Sequence, residues 1–154
     1  VQRRDHPAPG IRLMMTEFHT GLPASATLTL QRCGSCQQVN YPPRELCGHC
    51  LADDLQWQAV ADSGVVQSLT RLNYSLEPGY AQHLPWTVAS VLLDCGPIAL
   101  AHLAPDIATG ARVRLRVIQD RAGNRMLAAT GTDDAARPGE RDWLQSVGFR
   151  EIPA

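Results

Sequence analysis

Four of the five cysteines sit in one stretch, "QRCGSCQQVNYPPRELCGHC", residues 31–50. Their order is C-x2-C, ten residues, then C-x2-C: Cys33, Cys36, Cys47 and Cys50. Each C-x2-C can wrap a tight knuckle around a cation, and two knuckles supply the four thiolates that tetrahedral Zn²⁺ takes. Gly34 and Gly48 each follow the first cysteine of a pair, where a small residue eases the turn. A set of four cysteines fills the coordination shell, whereas a catalytic zinc keeps one position open for water. The expected cofactor is therefore a structural Zn²⁺. Two disulfides or four free thiols are the alternatives, and a reducing compartment argues against the first. His49, inside the second knuckle, has the chemistry to replace one cysteine; otherwise it faces solvent.

Such a metal has folding work to do. A module of this size buries little apolar surface, and the metal's binding free energy becomes folding free energy. The ten residues between the knuckles contain "YPPR", an extended spacer suited to a turn between short strands.

Alternation of apolar and polar residues marks the elements that follow. "LQWQAV", 55–60, is a strand leaving the ribbon, and "SGVVQSLTRLNYSL", 63–76, a long strand behind a turn glycine. "EPGYAQHLP", 77–85, is a loop. "WTVASVLLD", 86–94, and "IALAHL", 98–103, read as a hairpin around "CGP". "APDIATG", 104–110, is a loop or a short helical turn. In "ARVRLRVIQ", 111–119, Val113, Leu115 and Val117 share one face and Arg112, Arg114 and Arg116 the other. "MLAAT", 126–130, is the last of five strands. The pattern predicts a mainly β chain: a rubredoxin-like zinc ribbon followed by a five-stranded OB-fold barrel, with a β-sandwich satisfying the same alternation. The expected divisions are an N-terminal segment, 1–27, partly disordered around "HPAPG"; the ribbon, 28–56; the barrel, 57–130; and a tail, 131–154. In the tail, Asp142 to Val147 suit a short helix ended by Gly148.

Bulk properties narrow the partners. All 14 basic residues are arginine, and the formal net charge is −1. That balance gives no strong field for nucleic acid or anionic lipid. Single-strand binding also wants stacking aromatics, and only 5% of residues are aromatic. No apolar run approaches a membrane span, so no membrane partner is expected. Thiol usage and the lack of a signal peptide at the N-terminus point to the cytoplasm.

Outside the ribbon, Cys95 lies at a hairpin end with no histidine close in sequence. A nucleophile needs a base in reach, which only folding to His83 or His102 would bring. Arg112, Arg114 and Arg116 are a phosphate-binding row or a solvated barrel face. Tyr80, His83 and Trp86 are candidate contacts for a partner or acyl-CoA, or caps of the barrel; Trp143 is a further anchor or a local packing residue.

Taken in order, "LQRCGSC…YPPRELCGHC", "GVV", "PGYAQHLPWTVASVLLDCGPIALAHL" and "GARVRLRV" resemble a bacterial and archaeal family that joins a rubredoxin-like zinc ribbon to an OB-fold barrel. The family was long of unknown function and is linked to acyl-CoA metabolism. The resemblance covers residues 28 to 130. It implies a non-catalytic accessory subunit in a hetero-oligomer with a thiolase-fold enzyme, whether an acyl-CoA thiolase, a retro-aldolase or an acyltransferase. The catalytic subunit would supply the nucleophile, and acyl-CoA would lie at the interface. Gln37 and Leu51 stand where the family often has glycine after each knuckle. A nucleic-acid-binding module is the contrasting reading of the same two folds.

Overall fold

A computed structural model describes residues 21–76, 81–121, 123–132, 140–146 and 148–152. The expectations for residues 1–20, for Tyr80 and for the tail between 133 and 139 lie outside these residues.

Two sheets make up the described chain. The ribbon sheet has the order β2-β1-β3, with β1 at Thr29–Cys33, β2 at Val39–Asn40 and β3 at Leu55–Ala59. Both pairings are antiparallel, and β3 faces β1 from Thr29↔Ala59 to Cys33↔Leu55. The ribbon sheet thus continues to Ala59, with the second knuckle inserted between β2 and β3.

The second sheet is the barrel: β4 (Ser63–Leu72), β5 (Trp86–Leu93), β6 (Ile98–Leu103), β7 (Arg112–Gln119) and β8 (Arg125–Gly131). The order β4-β5-β6-β8-β7 closes through β4–β7 pairing, and β6–β8 is the one parallel pair among them. This is a closed five-stranded OB-type barrel, and the closure rules out the sandwich. A register shift between Val66 and Ser68 bends β4, so that its first half can pair with both β5 and β7. β4 ends at Leu72 rather than at residue 76. Beyond Val66 no described strand flanks its second edge, and Asn73 turns its amide back to the Arg71 carbonyl.

Inward residues follow the expected alternation. Val113, Leu115 and Val117 are buried, while Arg112, Arg114 and Arg116 are exposed. The ribbon is not a separate bead. Its Leu28, Leu30 and Val39 belong to one buried cluster with Val66, Val91, Leu93, Leu103, Leu115 and Leu127 of the barrel. Several inward barrel positions are small (Ala89, Ala99, Ala101, Ala129), a composition that leaves room for leucines from outside the barrel. The link from β3 to β4 is short. It is pinned at both ends: the Val60 amide donates to the Leu28 carbonyl, and the Leu115 amide to that of Asp62.

A second core lies on the outside of the barrel. Helix α1 (Glu140–Ser146) and strand β9 (Arg150–Glu151) fold back over it, with β9 pairing β7 at Ile118 and Gln119. Trp86, Ile118, Ala128, Leu144 and Phe149 are buried there together. The helix ends as the sequence predicts: Gly148 takes φ +79°, and the Phe149 amide closes on the Leu144 carbonyl.

Gly64 sits where β4 is flanked by both β5 and β7. A methyl group there would meet the Leu92 carbonyl oxygen at 2.5 Å and Val91 Cγ1 at 2.8 Å. Backbone cannot yield as a flexible side chain does. Gly64→Ala is expected to destabilise the fold by about 2 kcal/mol, read from the midpoint of chemical denaturation.

Candidate metal centre

The two knuckles close on each other. Cys33 and Cys36 follow from the end of β1, and Cys47 and Cys50 from the turn before β3. All four sulfurs lie within 4.8 Å of one another. Cys33 Sγ to Cys50 Sγ and Cys36 Sγ to Cys47 Sγ are each 3.6 Å. Disulfide sulfurs stand about 2.05 Å apart, so these are not bonded pairs. A tetrahedron with zinc–sulfur bonds of about 2.3 Å has edges of about 3.8 Å. The sulfur cage fits that ion, and the four thiolates fill its shell. The geometry is that of a structural zinc site, which Cys33, Cys36, Cys47 and Cys50 would hold. His49 offers its backbone amide to the Cys47 sulfur at 3.4 Å.

Each knuckle is a hydrogen-bonded turn. The Gln37 amide donates to the Cys33 carbonyl at 2.9 Å, and the Leu51 amide to the Cys47 carbonyl at 3.1 Å. Both Gln37 (φ 63°) and Leu51 (φ 62°) are left-handed. That explains why glycine suits these positions, and what its absence costs: about 1–2 kcal/mol for a residue with a side chain. Gln37 offsets part of this through a bond from its side-chain amide to the Gly34 carbonyl at 2.9 Å. Leu51 has no such compensation and is exposed.

Asn40 is a residue the cysteine spacing could not reveal. It is buried, its Oδ1 accepts from the Gly48 amide at 3.0 Å, and its Nδ2 lies 3.7 Å from the Cys47 sulfur. It ties β2 to the second knuckle and orients a ligand. No local pattern marks it: it is a polar residue beside Val39 in the two-residue strand β2. Backbone amides of Cys50 and His49 hold the Cys47 thiol down, to about 6. At Cys36 the Gln38 backbone lowers the pKa, but burial and the three neighbouring thiols outweigh it and push it up to about 12. Without a cation the four sulfurs cannot all ionise; a divalent metal removes that conflict.

The other candidate residues do not converge. Arg112 makes a two-pronged ion pair with Asp94 at 2.7 and 2.8 Å, and Ser63 joins at 2.6 Å. Arg112 and Ser63 together hold the Asp94 carboxyl down to about 2. Arg116 pairs with Glu151 at 3.1 Å. Arg114 is exposed on the same face. Trp86 is buried under Trp143, their rings stacked 5.2 Å apart, and His83 is half-buried. Cys95 is half-buried against the core, and burial pushes its thiol up. Among the described residues no histidine is hydrogen-bonded to it. Both ring nitrogens of His102 are engaged elsewhere, with Trp86 and Met126.

Two outcomes test this geometry. Leu51→Gly is expected to raise stability by about 1 kcal/mol, measured by denaturation of the zinc-loaded chain. Removing zinc with a strong chelator is expected to lower amide protection at Leu28 and Leu30 and also at Val91 and Leu115, because one core spans both modules.

Comparison with known proteins agrees with this architecture. Residues 24–56 match the family described as "ChsH2, rubredoxin-like zinc ribbon domain", and residues 57–117 match "ChsH2, C-terminal OB-fold domain". A solved structure described as "Ltp2-ChsH2(DUF35) aldolase" superposes with a TM-score of 0.56 at 23% identity, covering 82% of this chain and 97% of that one. At that identity the likeness is one of fold. A "Probable enoyl-CoA hydratase alpha subunit" of Thermomonospora curvata is 33% identical over 82 residues, 51% of this chain. The chain spans only 25% of that relative's length. With ribbon and barrel matched without a gap from 24 to 117, the chain belongs to the ChsH2 family of zinc-ribbon and OB-fold proteins.

Proposed function

We propose that this chain is a non-catalytic accessory subunit of an enzyme complex acting on acyl-CoA thioesters. The observation that carries the reading is the closed sulfur cage. A metal held by four thiolates has no open position at which to activate water or polarise a carbonyl. The remaining cysteine, Cys95, has no histidine hydrogen-bonded to it among the described residues, and burial pushes its thiol pKa up. In this reading the reactive groups come from outside the ribbon and the barrel. The names of the relatives support the same direction, one being an aldolase with two named components and the other an alpha subunit.

In the finer form of this reading, the catalytic partner has the thiolase fold and works as an acyl-CoA thiolase, retro-aldolase or acyltransferase. The accessory chain stabilises it and helps shape its acyl or CoA channel. The proposed contact set is Tyr80, His83, Trp86, Arg112, Arg114, Arg116 and Trp143. Of these the three arginines are the exposed ones on the described barrel, and Arg114 stands between two arginines already committed to carboxylates. A cytoplasmic location belongs to this reading, since thiolate ligands need a reducing compartment.

The purified chain is expected to show no thiolase, aldolase or acyltransferase turnover alone. It is expected to co-elute in size-exclusion chromatography with a thiolase-fold subunit encoded beside it. Turnover by the lone zinc-loaded chain would defeat the accessory role. Steeply salt-dependent oligonucleotide binding, with no protein partner, would point to nucleic acid instead.

A further inference from the structure

The four sulfurs of the cage share one chemistry but not one setting. Cys33 and Cys47 are buried, Cys36 is half-buried and Cys50 is exposed. The Cys47 sulfur is tied from several sides. The Asn40 side chain and the His49 amide point at it, at 3.7 and 3.4 Å, and the Cys50 amide joins them. Asn40 is itself held: its Nδ2 donates to the Gln38 carbonyl at 3.1 Å, and its Oδ1 accepts from the Gly48 amide. The cage is thus anchored to β2 through Cys47, while Cys50 stands at the surface.

The backbone separates the two outward ligands in the same direction. Each is followed by a left-handed residue, Gln37 at φ 63° after Cys36 and Leu51 at φ 62° after Cys50. Gln37 is steadied by its side-chain bond to the Gly34 carbonyl at 2.9 Å. Leu51 is 72% exposed, and an aliphatic side chain has no hydrogen bond to give in return. The uncompensated strain of the cage therefore sits beside its most exposed ligand.

We infer that Cys50 is the detachable ligand of the cage and a modification site for soft electrophiles of the α,β-unsaturated carbonyl class. The thiolate that serves as a metal ligand is also the nucleophilic form of cysteine. Of the four, Cys50 combines exposure with a strained neighbour that nothing offsets. In the addition, its sulfur forms a bond to the β-carbon, the alkene π pair moves to the α-carbon, and that carbon takes a proton from water. The product is an uncharged thioether, so the cage keeps three thiolates, and Leu51 can leave the left-handed region. Because Leu28, Leu30 and Val39 complete the barrel core, a covalent change at Cys50 reaches the barrel. This reactivity belongs to the ribbon and does not depend on the accessory role.

The test treats the zinc-loaded full chain with excess N-ethylmaleimide and quenches early. Peptide mass spectrometry maps each cysteine while a chromogenic chelator records released zinc. Among the four ligands, Cys50 is expected to be labelled about fivefold faster than Cys36 and about tenfold faster than Cys33 or Cys47. Zinc release should follow Cys50 labelling one for one, and Cys95 is mapped apart from this comparison. Leu51→Gly relaxes the strain and keeps all four thiols; it is expected to slow Cys50 labelling about fivefold. In Cys50→His, which puts a nitrogen ligand at the same corner, maleimide-driven zinc release is expected to fall about tenfold. Should Cys50→His not hold zinc, the wild-type order and Leu51→Gly decide. Equal labelling of the four ligands at the rate of zinc loss, faster labelling at Cys36, or no effect of Leu51→Gly overturns the assignment.

Discussion

Four sulfurs around one divalent cation are the constraint on which the rest of this molecule depends. The ribbon sheet has only three short strands, and β3 is exposed along most of its length. Such a sheet buries too little to hold itself together. The metal joins the end of β1 to the turn before β3, and so fixes the face that carries Leu28, Leu30 and Val39. Those side chains then complete the barrel core. Coordination chemistry at one end and hydrophobic burial at the other are therefore one cooperative structure. The left-handed Gln37 and Leu51 show that the chain tolerates backbone strain to close the cage.

The barrel has two cores with different makers. The inner one is built by strand alternation and finished by the ribbon. The outer one exists because α1 and β9 return over β7, β8, β5 and β6. It buries Trp86 and Ile118, which alternation directs outward, and half-buries His102. Ion pairs at Arg112 and Arg116 lie along the same outer face of β7. They fix the closing strand and the tail more than they attract anions, since each guanidinium already has a carboxylate.

Much of this was legible in the residues. The cysteine spacing picked out four residues whose sulfurs converge, and the alternation of Val113, Leu115 and Val117 with three arginines oriented β7 correctly. The turn at Cys95–Pro97 and the glycine stop at Gly148 also follow from local chemistry. What could not be read was long-range. Nothing near Ile118 signals that Phe149 and Glu151 will come to cover it, and nothing near Asn40 signals that it will hold Gly48. Alternation likewise carried β4 past Leu72, because periodicity does not report whether a neighbouring strand is present. Each of these depends on pairing between distant segments, which local patterns do not encode.

A four-thiolate metal site and a family of zinc-ribbon and OB-fold proteins are what support the proposed accessory role. The most direct test replaces zinc with cobalt(II) and records the visible spectrum while small anions such as azide or cyanide are added. The account predicts the absorption of a tetrahedral four-thiolate ion that added anions leave unchanged. A spectrum that shifts on anion binding, revealing an open coordination position, would contradict it.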